Sequence, residues 1–195
     1  MRGLMYPIIL ASNSPRRKEI LSQVGIEFTV IPSTLEEKTT STCPKEIVME
    51  LSRQKARDII SRQEGPVMVI GSDTVVAIGD QILGKPKSKE DAFRMISMLQ
   101  GDYNEVHTGV TVIVKREDGT LEETTFNEAA KVKIAEMTTQ EIESYIATNE
   151  PMDKAGAYAI QGKFACYVER IEGDFYTIVG LPIARLYQVM KAMNA

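Results

Sequence analysis

The sequence has 195 residues, and its 43% of hydrophobic and 26% of charged residues are typical of a globular domain, which excludes a disordered chain, a collagen and a disulfide-rich mini-protein. Lys and Arg number 23 and Asp and Glu number 27, and the resulting net charge of −4 argues against a protein that binds bulk nucleic acid. With a single histidine and two cysteines that form no CxxC motif, any metal ion would be held mainly by oxygen ligands, as Mg²⁺ or Mn²⁺ are.

The first half of the chain is predicted to alternate strands and helices. A compact apolar run predicts the first strand, and Ser14 with Pro15 then suits the start of a helix that Gly25 ends. Similar signals predict further elements, which gives strands at 7–11, 26–32, 67–70 and 75–78 and helices at 15–25, 45–62 and 88–100. The segment 71–74 (GSDT) is expected to interrupt the last two of these strands.

The second half of the chain is predicted to add hairpins. Asp118 and Gly119 tolerate the positive φ of a tight turn and therefore predict a hairpin of strands 106–115 and 121–134. The remaining predicted elements are a helix over 138–148, a second hairpin of 165–171 with 174–179, and a C-terminal helix over 182–192.

These elements predict an α/β protein with a mixed, twisted sheet flanked by helices. We expect one domain over 1–195, elongated, with two lobes around a central cleft. No apolar run approaches the ~18–20 residues of a membrane span, and the run from Leu4 to Ala11 is interpreted as a strand rather than a signal peptide. Two reduced cysteines in a cytoplasmic protein are the expectation that follows.

The segment SNSPRR (12–17) is the first candidate site. A helix that begins after a strand presents free backbone N–H groups and a positive dipole end, so the helix start at Ser14 is a candidate anion site. Arg16 and Arg17 add planar guanidinium groups that match phosphate oxygens. The alternative is an ordinary capped helix with two solvated arginines.

Asp73 is the second candidate, because a carboxylate at the end of an apolar run such as 67–70 is unusual. Ligand sites in α/β sheets gather at strand ends, and a carboxylate there can bind a hard cation or take a proton from water. The alternative is a turn aspartate that bonds to its own backbone.

Two charged segments suit the same chemistry. Lys85, held between a glycine and a proline, would reach a phosphate, although the P-loop pattern is absent; the alternative is a solvated lysine. Glu36 and Glu37, with Lys55 in the next helix, would complete an oxygen-rich metal site if they face Asp73. The alternative for the glutamates is a solvated charge pair.

The segment 153–162 (DKAGAYAIQG) is the last candidate. Its small residues permit a ligand to approach the backbone closely, and the amide of Gln161 can donate and accept, as reading a base edge requires. The alternative is a packed connecting loop. Taken together, the cationic groups suit a polyphosphate, the acids suit a divalent metal bound to it, and water is the expected nucleophile because no Ser–His or Cys–His pair is apparent.

Six segments, taken in order, resemble the Maf family of nucleoside triphosphate pyrophosphatases. They are LASNSPRRKEIL, GSDTVV, LGKP, HTGV, DKAGAYAIQG and GDFYTIVGLPIARL, and the match runs from about Ile8 to Leu186. The AGAYAIQG segment resembles the branch of the family that acts on dTTP and UTP, whereas a sister branch is associated with 7-methyl-GTP.

The resemblance implies roles for individual residues. Asp73 matches the family's proton acceptor, and Arg16, Thr74 and Gln161 match positions linked to substrate selectivity. Further positions tied to binding or activity are Ser12, Arg17, Glu37, Lys55 and Lys85. The fold implied is inosine-triphosphatase-like, elongated, with a central cleft, and often a homodimer.

The hypothesis that follows is a metal-dependent attack of water on the α-phosphorus of dTTP or UTP. Asp73, Glu36 and Glu37 would hold the cation, Asp73 would orient or deprotonate the water, and pyrophosphate would leave. The main alternative is a non-enzymatic, nucleotide-sensing regulator, since family members have been associated with arrest of septum formation. A nucleic-acid-binding module is a second alternative, which the net charge disfavours.

Overall fold

The computed structural model of the protein describes residues 5–193; residues 1–4, among them the first residue of the apolar run that begins at Leu4, and residues 194–195 lie outside that range. The strands are β1 (Ile8–Leu10), β2 (Thr29–Val30), β3 (Val67–Ile78), β4 (Gln81–Leu83), β5 (Tyr103–Lys115), β6 (Leu121–Ile134) and β7 (Val168–Glu172). The α-helices are α1 (Pro15–Gln23), α2 (Pro44–Ile60), α3 (Lys89–Leu99), α4 (Thr139–Ala147), α5 (Phe175–Val179) and α6 (Ile183–Met193). Short 3-10 turns lie at Glu150–Asp153, Ala155–Ala157 and Lys163–Tyr167.

Within the described residues, seven strands form one sheet in the order β2-β1-β3-β5-β6-β7, with β4 paired to β3. β1 runs parallel to both β2 and β3, whereas β4 is antiparallel to β3 and β7 is antiparallel to β6. Because parallel and antiparallel pairs coexist with six α-helices in this part of the chain, the predicted α/β class with a mixed sheet is confirmed.

The chain forms two compact units, each with its own core. The first unit comprises the described residues through Asp73, Thr108–Glu128, and the described residues from Gly180 onward; its core packs α2 on β1 and β3. The second unit comprises Thr74–His107 and Ala129–Val179, and its core joins α3 and α4 with an aromatic cluster around Phe164.

The predicted interruption at 71–74 is wrong, because β3 is one continuous strand of 12 residues. In a turn, the polar side chains would bond to nearby backbone groups. In β3 they bond to distant residues instead: Ser72 donates to the Gly180 carbonyl, and Asp73 accepts from Lys55. Buried polar side chains with such partners are compatible with a central strand.

The predicted second hairpin is also wrong. β7 pairs with β6, but the following segment is the helix α5 rather than a strand. Asp174 explains this, since its carboxylate accepts from the backbone N–H groups of Tyr176 and Thr177, as a helix cap does. The strand β4 was not predicted.

Among the described residues, no helix is both long and apolar enough to cross a membrane.

Candidate functional site

The centre of the candidate site is a lysine shared by two carboxylates in the first unit. Lys55 Nζ lies 2.6 Å from Asp73 Oδ1 and 2.9 Å from Glu37 Oε1. The side chains of Lys55 and Asp73 are only 14% and 12% exposed, whereas that of Glu37 is 51% exposed. Charges in a partly dehydrated setting interact more strongly than on an open surface, so this pairing holds the Asp73 carboxylate in a defined orientation.

The meeting of Lys55 with Asp73 follows from how α2 lies on β3. Side chains alternate along a strand, and Val67 and Val69 pack against α2 residues, so Gly71 and Asp73 face the same helix. A Cβ on Gly71 would lie 2.2 Å from the Ser52 carbonyl oxygen, so only glycine permits this approach. Lys55 projects from the turn of α2 that this contact holds, next to Asp73.

Arg17 is held by hydrogen bonds to two segments of the first unit that lie far apart in the sequence. Its Nη1 donates to Ser12 Oγ at 2.9 Å and its Nε donates to the Gly180 carbonyl at 2.9 Å. Burial lowers the pKa of the Arg17 guanidinium, and Asp73 opposes that shift by raising it. Because an arginine stays charged in proteins even so, Arg17 supplies a positive charge with a defined orientation.

The start of α1 departs from the prediction in detail. Ser14 occupies the N-cap position and Pro15 the first helical position, as predicted, but the Ser14 side chain makes no capping bond. Instead, the Ser14 backbone N–H donates to Ser12 Oγ at 3.2 Å. Arg16, the neighbour of Arg17, is half-buried. Ser12 Oγ therefore accepts hydrogen bonds from both the helix start and Arg17.

The predicted set of three metal-binding carboxylates is not assembled. Glu36 is paired with Lys38 on the surface, and the described residues contain no group of three Asp, Glu, His or Cys that could hold a metal ion. What remains is the pair Asp73 and Glu37. Two carboxylates fit Mg²⁺ or Mn²⁺ that takes its other ligands from water and from substrate phosphates, which is how Mg²⁺ is commonly bound.

The other three predicted site residues, Thr74, Lys85 and Gln161, belong to the second unit. Thr74 is half-buried in β3, while Lys85 and Gln161 are exposed. The two loops that carry the latter pair touch, because the Gly156 N–H donates to the Gly84 carbonyl at 3.0 Å. Gln161 lies in a turn closed by the Gly162 N–H and the Ala159 carbonyl, at 3.1 Å.

Ser72 and Gly180 were not predicted as site residues. Ser72 Oγ donates to the Gly180 carbonyl at 3.0 Å, and that same carbonyl accepts from Arg17. A backbone carbonyl carries no signal in a sequence, so the part played by Gly180 could not be found there. The available indications were the adjacency of Ser72 to Asp73 and the position of Ser72 and Gly180 within segments that carry the family resemblance.

Comparison with known proteins relates nearly the whole chain to one family. The Maf-like protein family model matches residues 7–193. A dTTP/UTP pyrophosphatase of Lachnoclostridium phytofermentans is 60% identical over 96% of this chain and 95% of the relative, and one of Agathobacter rectalis is 48% identical over 97% and 98%. Among solved structures, a HAM1 protein from Coxiella burnetii covers 97% of this chain and 98% of its own, at 14% identity and a TM-score of 0.49, a level of similarity that says nothing about substrate.

The resemblance noted in the six sequence segments is thereby confirmed, since the matched residues include every one of them. The chain belongs to the Maf family.

Proposed function

We propose that the protein hydrolyses dTTP and UTP to the nucleoside monophosphate and pyrophosphate. The observation that carries the proposal is the Lys55 ammonium held between Asp73 and Glu37, 2.6 and 2.9 Å away. This arrangement places an oriented carboxylate, that of Asp73, beside cationic groups, which suits attack of water on a polyphosphate. Relatives named dTTP/UTP pyrophosphatase at 60% and 48% identity over nearly the full chain support the substrate and the reaction.

In the proposed reaction, Asp73 is the general base. Its carboxylate takes a proton from a water molecule as the water oxygen bonds to the α-phosphorus. The bond between that phosphorus and the oxygen bridging to the β-phosphate breaks, and pyrophosphate leaves with the electron pair. Lys55 orients the Asp73 carboxylate before the proton arrives and counters negative charge on the phosphates afterwards.

The phosphate-binding groups of the proposal are cations and the start of α1. Arg17 is oriented by Ser12 and by the Gly180 carbonyl, so its guanidinium is held in place before the triphosphate binds. Arg16 and the α1 start beyond Ser14 add positive potential. Lys85 is proposed to contact a terminal phosphate.

A divalent cation, Mg²⁺ or Mn²⁺, belongs to this proposal as well. Asp73 and Glu37 would hold it together with phosphate oxygens of the substrate. When bound, it supplies charge neutralisation for the triphosphate and acts as a Lewis acid. Glu36, paired with Lys38 on the surface, is not part of the proposed ligand set.

Base recognition is proposed for Gln161, with Thr74 and Arg16 as further selectivity residues. A 4-keto pyrimidine with an N3–H offers one acceptor and one donor, which the two ends of an amide can match.

We further propose that the protein acts as one domain, as a homodimer and in the cytoplasm. The exposed free thiols of Cys43 and Cys166 support a reducing compartment.

The decisive experiment is a panel of nucleoside triphosphates assayed with Mg²⁺ and with Mn²⁺, with identification of the released phosphate species. We expect dTTP and UTP to be the preferred substrates and pyrophosphate to be the first product. Release of orthophosphate first would mean cleavage at the γ-phosphate and would overturn the reaction. Preference for 7-methyl-GTP would overturn the substrate, and no turnover of any nucleotide would favour a non-enzymatic regulator.

A further inference from the structure

The turn that carries Gln161 has a polar anchor on one side. In this turn the Gly162 N–H donates to the Ala159 carbonyl, which leaves the exposed Gln161 at its tip. Lys163, which follows the last residue of the turn, donates its backbone N–H to Glu150 Oε2 at 3.1 Å. The other oxygen, Oε1, accepts from the Tyr145 hydroxyl at 3.0 Å. One carboxylate thus ties the end of the turn to a buried tyrosine of α4.

Gly162 shows how closely the Glu150 carboxylate lies against the turn. A Cβ added at Gly162 would be 2.2 Å from Glu150 Oε1 and 2.4 Å from its Cδ. The φ of Gly162 is −106°, which any residue can adopt, so the backbone does not require glycine here, and a Cβ would be accommodated only if the Glu150 carboxylate moved away.

The segment after the turn is anchored by aromatic packing. Phe164 is fully buried, and its ring centroid lies 4.9 Å from that of Tyr145, 5.0 Å from Tyr158 and 5.5 Å from Tyr167. This aromatic cluster holds the segment that follows the Gln161 turn against the core of the second unit. Glu150 therefore connects the aromatic cluster, through Tyr145, to the backbone N–H of Lys163, two residues after Gln161.

We propose that Glu150 is a positioning residue that sets the orientation of the Gln161 turn and, through it, the selectivity for the pyrimidine base. The inference rests on the proposed function in one respect, namely that Gln161 reads the base. Glu150 touches neither the phosphates nor the reacting atoms in this proposal. Its loss should weaken base recognition and leave the chemistry at Asp73 largely unchanged.

Three substitutions test the proposal. Glu150→Ala removes both hydrogen bonds. Glu150→Gln keeps them, because its Oε1 can accept from the Lys163 N–H while its Nε2 donates to the Tyr145 oxygen. Gly162→Ala leaves Glu150 in the chain but pushes its carboxylate away from Lys163. Glu143→Ala, an exposed glutamate of α4, is the matched control.

Two measurements are made on each full-length variant: amide hydrogen exchange at Lys163 and steady-state kinetics with dTTP, UTP and CTP. For Glu150→Ala and Gly162→Ala we expect exchange at Lys163 and the KM for dTTP and UTP to rise about tenfold, with a smaller change in kcat and weaker discrimination against CTP. Glu150→Gln and Glu143→Ala should behave as wild type. The double variant Glu150→Ala/Gly162→Ala should be no worse than Glu150→Ala alone, because both changes remove the same contact.

The outcomes separate the two proposals. Wild-type protein that hydrolyses neither dTTP nor UTP overturns the proposed function, whatever the variants do. If the wild-type protein is active, and both Glu150→Ala and Gly162→Ala keep its KM and its discrimination against CTP, only the role of Glu150 is overturned. Equal losses for all three nucleotides, confined to kcat, would show a general structural role and also overturn it. Should Glu150→Ala fail to fold, Gly162→Ala carries the same test.

Discussion

At the level of single residues, Asp73 is the group on which the proposed chemistry depends most. Asp73→Asn keeps the shape of the side chain but removes its capacity to take a proton, and Lys55 retains Glu37 as an ionic partner. We expect turnover of dTTP to fall by about a hundredfold to ten-thousandfold. The check is steady-state turnover together with thermal unfolding. A variant that folds and retains near-wild-type turnover would show that Asp73 is not the base.

The two adjacent glutamates give a second prediction at this scale. Glu37 reaches Lys55 at 2.9 Å, whereas Glu36 pairs with Lys38 and its side chain is 81% exposed. Glu37→Gln should therefore lower activity and raise the concentration of Mg²⁺ or Mn²⁺ needed for half-maximal rate, while Glu36→Gln should change neither by more than about twofold. Metal titrations of the two variants side by side make the comparison. The reverse ranking would contradict the assignment of Glu37.

At the level of elements, the contact between α2 and β3 sets the position of Lys55. Gly71→Ala would place a Cβ 2.2 Å from a backbone carbonyl of α2, which cannot move without shifting the helix. We expect unfolding free energy to fall by about 1–3 kcal/mol and activity to fall with it, as Lys55 moves away from Asp73. Denaturant unfolding measures the first effect and turnover the second.

Gly65→Ala is the matched control for that change. Nothing lies within 4 Å of a Cβ at Gly65, and Gly65 is not among the glycines with positive φ. Its effect on unfolding free energy should stay within about 0.5 kcal/mol. Equal stabilities of the two variants would mean that the α2–β3 contact is not as tight as its geometry implies.

Sequence patterns predicted the elements best where local chemistry decides the structure. Thr138 and Glu141 form a capping box at the start of α4, inside the predicted helix 138–148, and Ser88 caps α3 by accepting from the Asp91 N–H. The failures occurred where tertiary contacts decide. β3 continues through Ser72 and Asp73 because distant residues satisfy them, and α5 replaces a predicted strand because Asp174 caps it.

At the level of the whole molecule, the family resemblance implies roles for residues that residue patterns alone left ambiguous. For Glu36 and Glu37, the pattern allowed a solvated charge pair, and only the three-dimensional contact of Glu37 with Lys55, which also pairs with Asp73, distinguishes Glu37 from Glu36. Glu150 lies beside the predicted segment 153–162 but was not singled out. Its significance depends on the distance to the Lys163 backbone, which no spacing in the sequence reveals.

The stability of the molecule at alkaline pH tests the core of the second unit. Burial raises the pKa of the Tyr158 hydroxyl, which donates a hydrogen bond to Asn104 Oδ1 at 3.0 Å. Since the folded-state pKa lies above the unfolded value of about 10, the unfolded chain loses this proton first as pH rises. The stabilisation is therefore fully present below about pH 10, and it is lost above that value at about 1.4 kcal/mol per pH unit.

Tyr158→Phe removes this titration and leaves the ring packed on Phe164. We expect the variant to lose about 1–2 kcal/mol of unfolding free energy at pH 8, because Asn104 is left without its hydroxyl partner in a buried position. Between pH 10 and 11.5 its stability should fall less steeply than that of wild type, by about 1.4 kcal/mol per pH unit, so that the two stabilities converge. Tyr145, whose pKa is also raised by burial, is present in both proteins and cancels in the comparison. Parallel stability curves across this range would mean that Tyr158 ionises as readily in the folded protein as in the unfolded chain. That result would contradict the rise in pKa that burial is expected to cause.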